Sequence, residues 1–298
     1  MILFKSLQTS IILISLARRG LLQWLSDEKY LEIVYYLRFH ERINWEKPQR
    51  FNEKLQWLKL NNRKAMLTKL ADKSEVKDYI KKEIGEEYII PTISVFNKFE
   101  EIDFSTLPNQ FVIKCTHDSG GLAIVSDKNT LDIPKIKKKI NKSLRRNYYW
   151  AGREWPYKDI KPRILVEEYV NDNTINELRD YKFFCFSGKV AFFKIDYDRF
   201  TKHKANYYSP EGVLLEMGEA KIPPDKNRVI KLPNRLDEML AISEKLSRGF
   251  PFLRVDLYEA NDSIYFGELT FYPDSGFGKF VPDSADFDIG RLLKLKDT

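Results

Sequence analysis

Apolar residues recur at helical spacing through the first sixty positions. Leu21, Leu22, Leu25, Leu31, Val34 and Leu37 recur at roughly helical spacing, and Ser26-Asp27 supplies an N-cap ahead of the second group. Pro48 opens another helix, whose stripe is Phe51, Leu55 and Leu58 at i, i+4 and i+7. The run from Leu67 to Ile84 reads as one further helix stopped by Gly85. Residues 1–62 are therefore expected to form a helical N-terminal region.

Beyond Gly85 the pattern changes to short apolar runs punctuated by Gly, Pro and Ser. Tyr88–Ile90 and Thr92–Phe96 flank Pro91, and Phe111–Cys115, Leu122–Val125 and Arg163–Val170 follow as strands. A lysine-rich amphipathic helix over 132–145 presents its charge run to solvent. Tyr181–Phe186 and Lys189–Ile195 bracket Ser187-Gly188, a two-residue hairpin signal. Leu236–Leu246 is helical, and Arg254–Tyr258 and Ile264–Thr270 form a closing hairpin. The order is helices first, then antiparallel hairpins with interspersed helices, an α+β organisation. A first lobe is expected over 63–168 and a second over 169–298, with no internal repeat or low-complexity block.

The composition supports a substantial core: 298 residues, 43% hydrophobic and 14% aromatic. A net charge of +7 favours anionic partners, and no basic patch with interleaved aromatics points to nucleic acid. Cys115 and Cys185 lie within apolar strands as small hydrophobes, and reduced cytosol is the expected setting. The apolar run Ile11–Ala17, followed by Arg18-Arg19, is far short of the ~20 residues a span needs and resembles no secretory signal. It is expected to pack on the body of the protein, with a peripheral membrane contact as the alternative.

The final hairpin carries the sharpest chemistry. Asp256 and Glu268 sit among apolar residues on neighbouring strands, where an ionised carboxylate is costly unless it is paired or metal-bound. They share a face if the turn has an odd number of residues, such as Asn261-Asp262-Ser263, or if a bulge corrects a two-residue turn. Two such carboxylates before the Pro/Gly loop Pro273–Lys279 suit a hard divalent cation, and the bland reading is a pair bridged by Arg254. Lys114 ends an apolar strand and leads into Ser119-Gly120-Gly121, where backbone N–H groups can approach an anion. Glu167-Glu168-Tyr169-Val170 closes another strand, and Lys182 enters a third and needs a partner. Arg199, His203, Lys204 and Asn206 form a polar segment suited to an anionic substrate. No Walker loop, no G-x-G-x-x-G after a strand and no serine-hydrolase elbow occurs, and three histidines make a histidine-ligated zinc centre a poor fit.

In this order the pieces resemble the ATP-grasp superfamily, and more narrowly its teichuronopeptide-biosynthesis (TupA-like) branch. The stretches that carry the resemblance include Phe51–Lys59, Lys69–Lys73, Leu107–Lys114, Asp180–Phe186, Phe250–Tyr258 and Tyr265–Pro273, spread over residues 40 to 295. The resemblance implies two α+β lobes clamping ATP, with magnesium held by Asp256 and Glu268. Lys73, Lys114 and Lys182 would face the nucleotide, Ser119, Gly120 and Gly121 would close over the phosphates, and Glu167–Val170 would form the adenine hinge. It also implies an ADP-producing ligase that activates a carboxylate as an acyl phosphate and passes it to an amine. Lys182, Arg199 and Arg254 are the implied catalytic cations. His203, Lys204, Asn206, Thr270, Ser275, Gly276 and Lys279 are the implied substrate contacts. Thr270 is a departure, because many ATP-grasp ligases carry asparagine two residues after the metal glutamate. The branch implies a small-molecule amine as one substrate, and an acidic glycan or sugar-nucleotide acceptor as the other. A cytoplasmic location follows. The competing readings are a glycosyltransferase of capsule or O-antigen synthesis, for which Asp196-Tyr-Asp198 formally matches an Asp-x-Asp motif, and a non-catalytic assembly factor.

Overall fold

The computed structural model describes residues 2–171, 178–198 and 201–295, with side chains from Leu7 onward. Helices come first: α1 (Ile2–Arg18), α2 (Asp27–Phe39), α3 (Phe51–Asn61), α4 (Ala65–Ala71) and α5 (Val76–Glu83). Ser26 caps α2 by accepting from the Lys29 N–H at 3.3 Å. Glu53 closes the start of α3, accepting from the backbone N–H groups of Gln49 and Arg50 at 2.8 and 3.0 Å.

The single helix expected over 67–84 is two. Asp72 turns its carboxylate onto the N–H groups of Ser74 and Glu75, at 2.8 and 3.1 Å, and so starts α5 afresh. The Lys73 N–H meanwhile leaves the helical ladder for Thr116 O at 3.1 Å. Tyr88 ends a 3-10 turn, so no strand forms before Pro91.

The first sheet is antiparallel, in the order β1-β4-β2-β3: β1 (Thr92–Phe96), β2 (Phe111–Cys115), β3 (Leu122–Val125) and β4 (Ile164–Glu168). One face, with Phe111, Ile113, Cys115, Ile164 and Val166, packs on Ile140 of α6 (Ile133–Leu144). The other face carries Lys114 and Glu167. The short helix α7 (Tyr149–Gly152) leads from α6 back to this lobe's last strand.

The second sheet is also antiparallel, in the order β10-β9-β5-β6-β7: β5 (Asp180–Phe186), β6 (Lys189–Tyr197), β7 (Lys204–Tyr208), β9 (Phe252–Ala260) and β10 (Ser263–Thr270). Ser187 and Gly188 take φ of 49° and 83°, the left-handed pair that a tight hairpin requires. β8 (Gly218–Glu219) pairs with β11 (Phe280–Val281), and α8 (Leu236–Leu246) and α9 (Ser284–Leu292) complete the order. One face of the large sheet, with Phe183, Phe193 and Val255, shares a core with Met239, Ile242 and Leu246 of α8. The other face is divided. At one end it is aromatic, where Phe51 of α3 meets Phe186 and Phe252 edge-on. At the other end it is charged. Helices α4 and α5 contribute Leu67, Leu70, Val76 and Ile80 to this larger core, not to that of the four-stranded sheet.

Lys59 on α3 is wholly buried, yet its ammonium is spent: it donates to Gln56 Oε1, Gly152 O and Ser275 O at 2.7–2.8 Å. Burial pushes its pKa down to about 7, against the opposing pull of Glu154 and Asp27. Replacing it strands three buried acceptors. Lys59→Met is expected to cost about 3 kcal/mol and to lower Tm by about 5–10 °C in a thermal melt. An unchanged Tm would show that these contacts hold nothing together.

Candidate active site

The Asp256 and Glu268 geometry follows from the turn between them. The turn is the two residues Asn261 and Asp262, both left-handed with φ of 49° and 60°. Alone, that turn would set the carboxylates on opposite faces. A bulge at Gly267 shifts the register between Phe266 and Glu268, so Glu268 lies directly opposite Asp256. Glycine fits the bulge because a Cβ there would come within 3.0 Å of Asp256 O and the Tyr258 ring.

Arg254 sits between the two carboxylates. It donates to both Asp256 oxygens at 2.7 Å, to Glu268 Oε1 at 3.3 Å and to Thr270 Oγ1 at 3.0 Å. Lys182 reaches Asp256 Oδ2 at 2.8 Å and also binds Asp180, with Asp196 3.6 Å away. Burial alone would raise the Asp256 pKa, but Arg254 and Lys182 overcome it and hold the carboxyl down at about 2. Asp256 is sealed at 1% exposure, whereas the Glu268 side chain is 39% exposed.

The other sequence candidates fall into two groups. Lys114 pairs with Glu167 at 2.5 Å, and so does Lys77, a residue the sequence did not single out, at 2.6 Å. Burial works to raise the Glu167 pKa, yet these two cations pull it below the usual range. Lys73 donates to Asp118 O at 2.5 Å, and Asp118 in turn accepts from the Gly121 N–H at 3.0 Å, closing the glycine turn. A side chain at Gly121 would strike Cys115 Sγ and Ser143 Oγ at 2.5 and 2.6 Å, whereas Gly120 is open. Glu168 points to solvent, and Tyr169 and Val170 are half-buried. His203 lies 3.3 Å from Asp196, on the charged face of the large sheet.

Lys204 and Asn206 do not join it. Their strand partners are Tyr197 and Ile195, which place them on the opposite face. Asn206 there accepts from Tyr197 and the Asp225 N–H and donates to Asp225 O. Arg199 lies outside the described residues. Gly276 is a structural position: its φ is 62°, its carbonyl accepts from Gln56 Nε2 at 2.6 Å, and a Cβ would meet that nitrogen at 2.4 Å. Lys59 donates to the neighbouring Ser275 O, so two residues of α3 hold this turn. The Asp-x-Asp match is likewise engaged, Asp196 with the lysines and His203 and Asp198 with Arg228.

A cavity of about 780 Å³ joins some of these residues. Its wall includes Ser119 of the glycine turn, then Arg254, Glu268 and Thr270, and then Ser275 and Lys279. Lys114 is not part of that wall. Two residues the sequence left unnoticed are. Tyr148 accepts a hydrogen bond from Ser119 Oγ at 3.2 Å, and Glu154, only 4% exposed, accepts from Ser275 Oγ. Burial raises the Glu154 pKa, offset in part by Lys59. No periodicity could have found either; both lie in the irregular stretch between α6 and β4.

Residues 53–294 match the family described as TupA-like ATPgrasp. The chain belongs to this family. No curated protein sequence matches it. Among solved structures it is similar to D-alanine–D-alanine ligase from Bacillus anthracis complexed with ATP: 18% identity over 69% of this chain and 55% of that one, TM-score 0.41. It is also similar to D-alanine–D-alanine ligase from Helicobacter pylori, at 15% identity over 76% and 61%, TM-score 0.43. A third is the ATP-grasp ligase PsnB complexed with a minimal precursor, at 9% identity over 74% and 59%, TM-score 0.39. The chain thus spans less than two thirds of the length of these structures.

ATP-grasp enzymes use ATP and Mg²⁺, and of the residues named for them Ser119 and Glu268 line the cavity. Glu268 opens on the cavity as one such carboxylate, of the kind that holds Mg²⁺ when phosphate oxygens complete its shell, whereas Asp256 opposite it is enclosed and has both oxygens bound by Arg254 and one also by Lys182. Among the described residues no group of three or more His, Cys, Asp or Glu is arranged to hold a metal without such help. No described helix is long and apolar enough to cross a membrane.

Proposed function

We propose that the protein is an ATP-dependent carboxylate–amine ligase joining an amino acid or peptide to a carboxylate of an acidic surface polysaccharide or its precursor. One observation supports this reading: Ser119 of the glycine turn, Glu268 and a set of cations line a single cavity. The carboxylate oxygen attacks the γ-phosphorus of ATP and ADP departs. The amine nitrogen then attacks the acyl carbon, phosphate leaves, and the nitrogen loses a proton. Glu268 would hold Mg²⁺, with Asp256 joining it only if its contact to Arg254 or Lys182 were given up, and the ion would supply charge neutralisation at the phosphates.

The chain's own groups divide the remaining work. Arg254 holds Glu268 and Asp256 in register, and Lys182 fixes Asp256 from the adjoining strand. Lys279 and Lys221, both in the cavity wall, suit the acceptor carboxylate. Glu154 and Asp274 in the same wall, with the rings of Tyr148, Tyr157 and Tyr272, suit an ammonium group and then its released proton.

The test is ADP release from ATP and Mg²⁺ with amino acids screened against uronic-acid acceptors. Hydroxylamine in place of the amine should convert an acyl phosphate to a hydroxamate, with one ADP formed per hydroxamate. ADP release indifferent to any carboxylate, or turnover of UDP- or GDP-sugars instead, would overturn the reading. The second outcome would favour the transferase alternative, which the engaged carboxylates of Asp196 and Asp198 do not support.

A further inference from the structure

The cavity has a wall that the family match does not include. Helix α1 ends at Arg18 and α2 at Phe39, both before residue 53 where the match begins. Yet Leu7, Ile11, Ile14 and Arg18 of α1 line the same cavity as Ser119 and Glu268. Their spacing of i, i+4, i+7 and i+11 is one stripe of a helix. A second stripe, through Leu13, Ile14 and Ala17, already packs α1 on α2 and accounts for its attachment. Leu7 and Ile11 take no part in that core and stand 41% and 54% exposed. Exposed apolar side chains turned to a cavity that also carries charged groups and aromatic rings are not explained by the packing of α1 on α2.

The cations beside that stripe complete the picture. Arg18 continues it, and Arg38 of α2, Lys221 and Lys279 line the cavity as well. Arg38 Nε is buried and donates to no described group, so part of that guanidinium is unspent. Burial works against its charge and Asp274 supports it.

We infer that α1 and α2 form the acceptor subsite for an amphiphilic anion: an acidic saccharide carried on an apolar chain. The chain lies along Leu7, Ile11 and Ile14, and the acidic head is held by Arg38, Lys221 and Lys279. This inference rests on the ligase reading above for its choice of a uronic-acid head, and it narrows the acceptor from a free glycan to one still attached to an apolar carrier.

Titration calorimetry of the full chain tests it, comparing methyl β-D-glucuronide, octyl β-D-glucuronide and octyl β-D-glucoside below their micellar concentrations. The octyl glucuronide should bind at least ~30-fold tighter than the methyl compound, as partial burial of seven added methylenes requires. It should also bind about 10-fold tighter than the neutral octyl glucoside. In Ile11→Asn, a change at an exposed position that spares the core, the octyl-to-methyl ratio should fall below about 3. Equal binding of the two glucuronides, or a ratio unmoved by Ile11→Asn, overturns the proposal. So does loss of binding to phosphatidylglycerol vesicles in Ile11→Asn without a chain-length effect, which would make the stripe a bilayer contact. The hydroxamate assay reads the ligase chemistry separately. Chain-dependent binding without ATP turnover would sink the ligase reading alone, and turnover without chain dependence would sink this one alone.

Discussion

Glu268→Gln should reduce carboxylate-dependent ADP release by at least ~100-fold while moving Tm by no more than about 2 °C. The asymmetry follows from its surroundings. Glu268 faces the cavity and is partly exposed, and its protein partners are Arg254 Nη2 at 3.3 Å and the Thr270 hydroxyl at 3.1 Å. A glutamine keeps an oxygen for both, so little folding energy is at stake. It removes the negative charge that a magnesium-bound triphosphate needs opposite it. Steady-state ADP release and a thermal melt on the same preparation suffice. Turnover within a few-fold of the unmodified protein would eliminate Glu268 as a metal ligand.

Asp256→Asn should behave quite differently, although the two carboxylates face each other across one strand pair. Asp256 is enclosed and is the shared anion of two buried cations, Arg254 and Lys182. Neutralising it takes from the buried Arg254 the carboxylate that pairs with it through two hydrogen bonds, and from Lys182 one of its anions, at a cost of about 3–5 kcal/mol. For a chain of this size that lowers Tm by about 6–15 °C. The pH dependence has a definite sign. Its folded pKa of about 2 lies below the ordinary 3.8, so the stabilisation is fully present above pH 4 and fades as pH falls through 2. The gap in stability between the unmodified protein and Asp256→Asn should therefore narrow on acidification from pH 4 towards 2, where the melts remain reversible. A gap that stays constant or widens over that range would refute the ion-pair account. Loss of activity in this variant is informative only at temperatures where it is folded, which makes Glu268→Gln the cleaner probe of the metal.

Much of the architecture was open to reading because it is local. The Ser187-Gly188 hairpin, the α8 boundaries and the α2 cap each depend on residues a few positions apart, and each occurs as the pattern indicates. The split between α4 and α5 was hidden because the apolar spacing runs straight through it. What breaks the helix is Asp72 bonding forward and the Lys73 N–H bonding to Thr116, a strand neighbour far along the chain. Lys204 and Asn206 looked like site residues because a polar segment beside a strand end carries no sign of which face it will take. Register with β6 settles that, and it turns them away.

For the site the division is similar. Residue chemistry and order along the chain were enough to recognise the paired carboxylates, the lysine before the glycine turn and the family they belong to. Whether Asp256 and Glu268 would share a face hung on one extra residue, and the bulge at Gly267 is a property of strand pairing rather than of composition. Tyr148, Glu154, Lys77 and the α1 stripe reach the cleft region or its lysines only through folding, from segments whose own spacing announces nothing of the sort. Periodicity reports which residues leave water. It does not report which distant ones they meet, because that is set by packing among whole elements once their backbone hydrogen bonds are made.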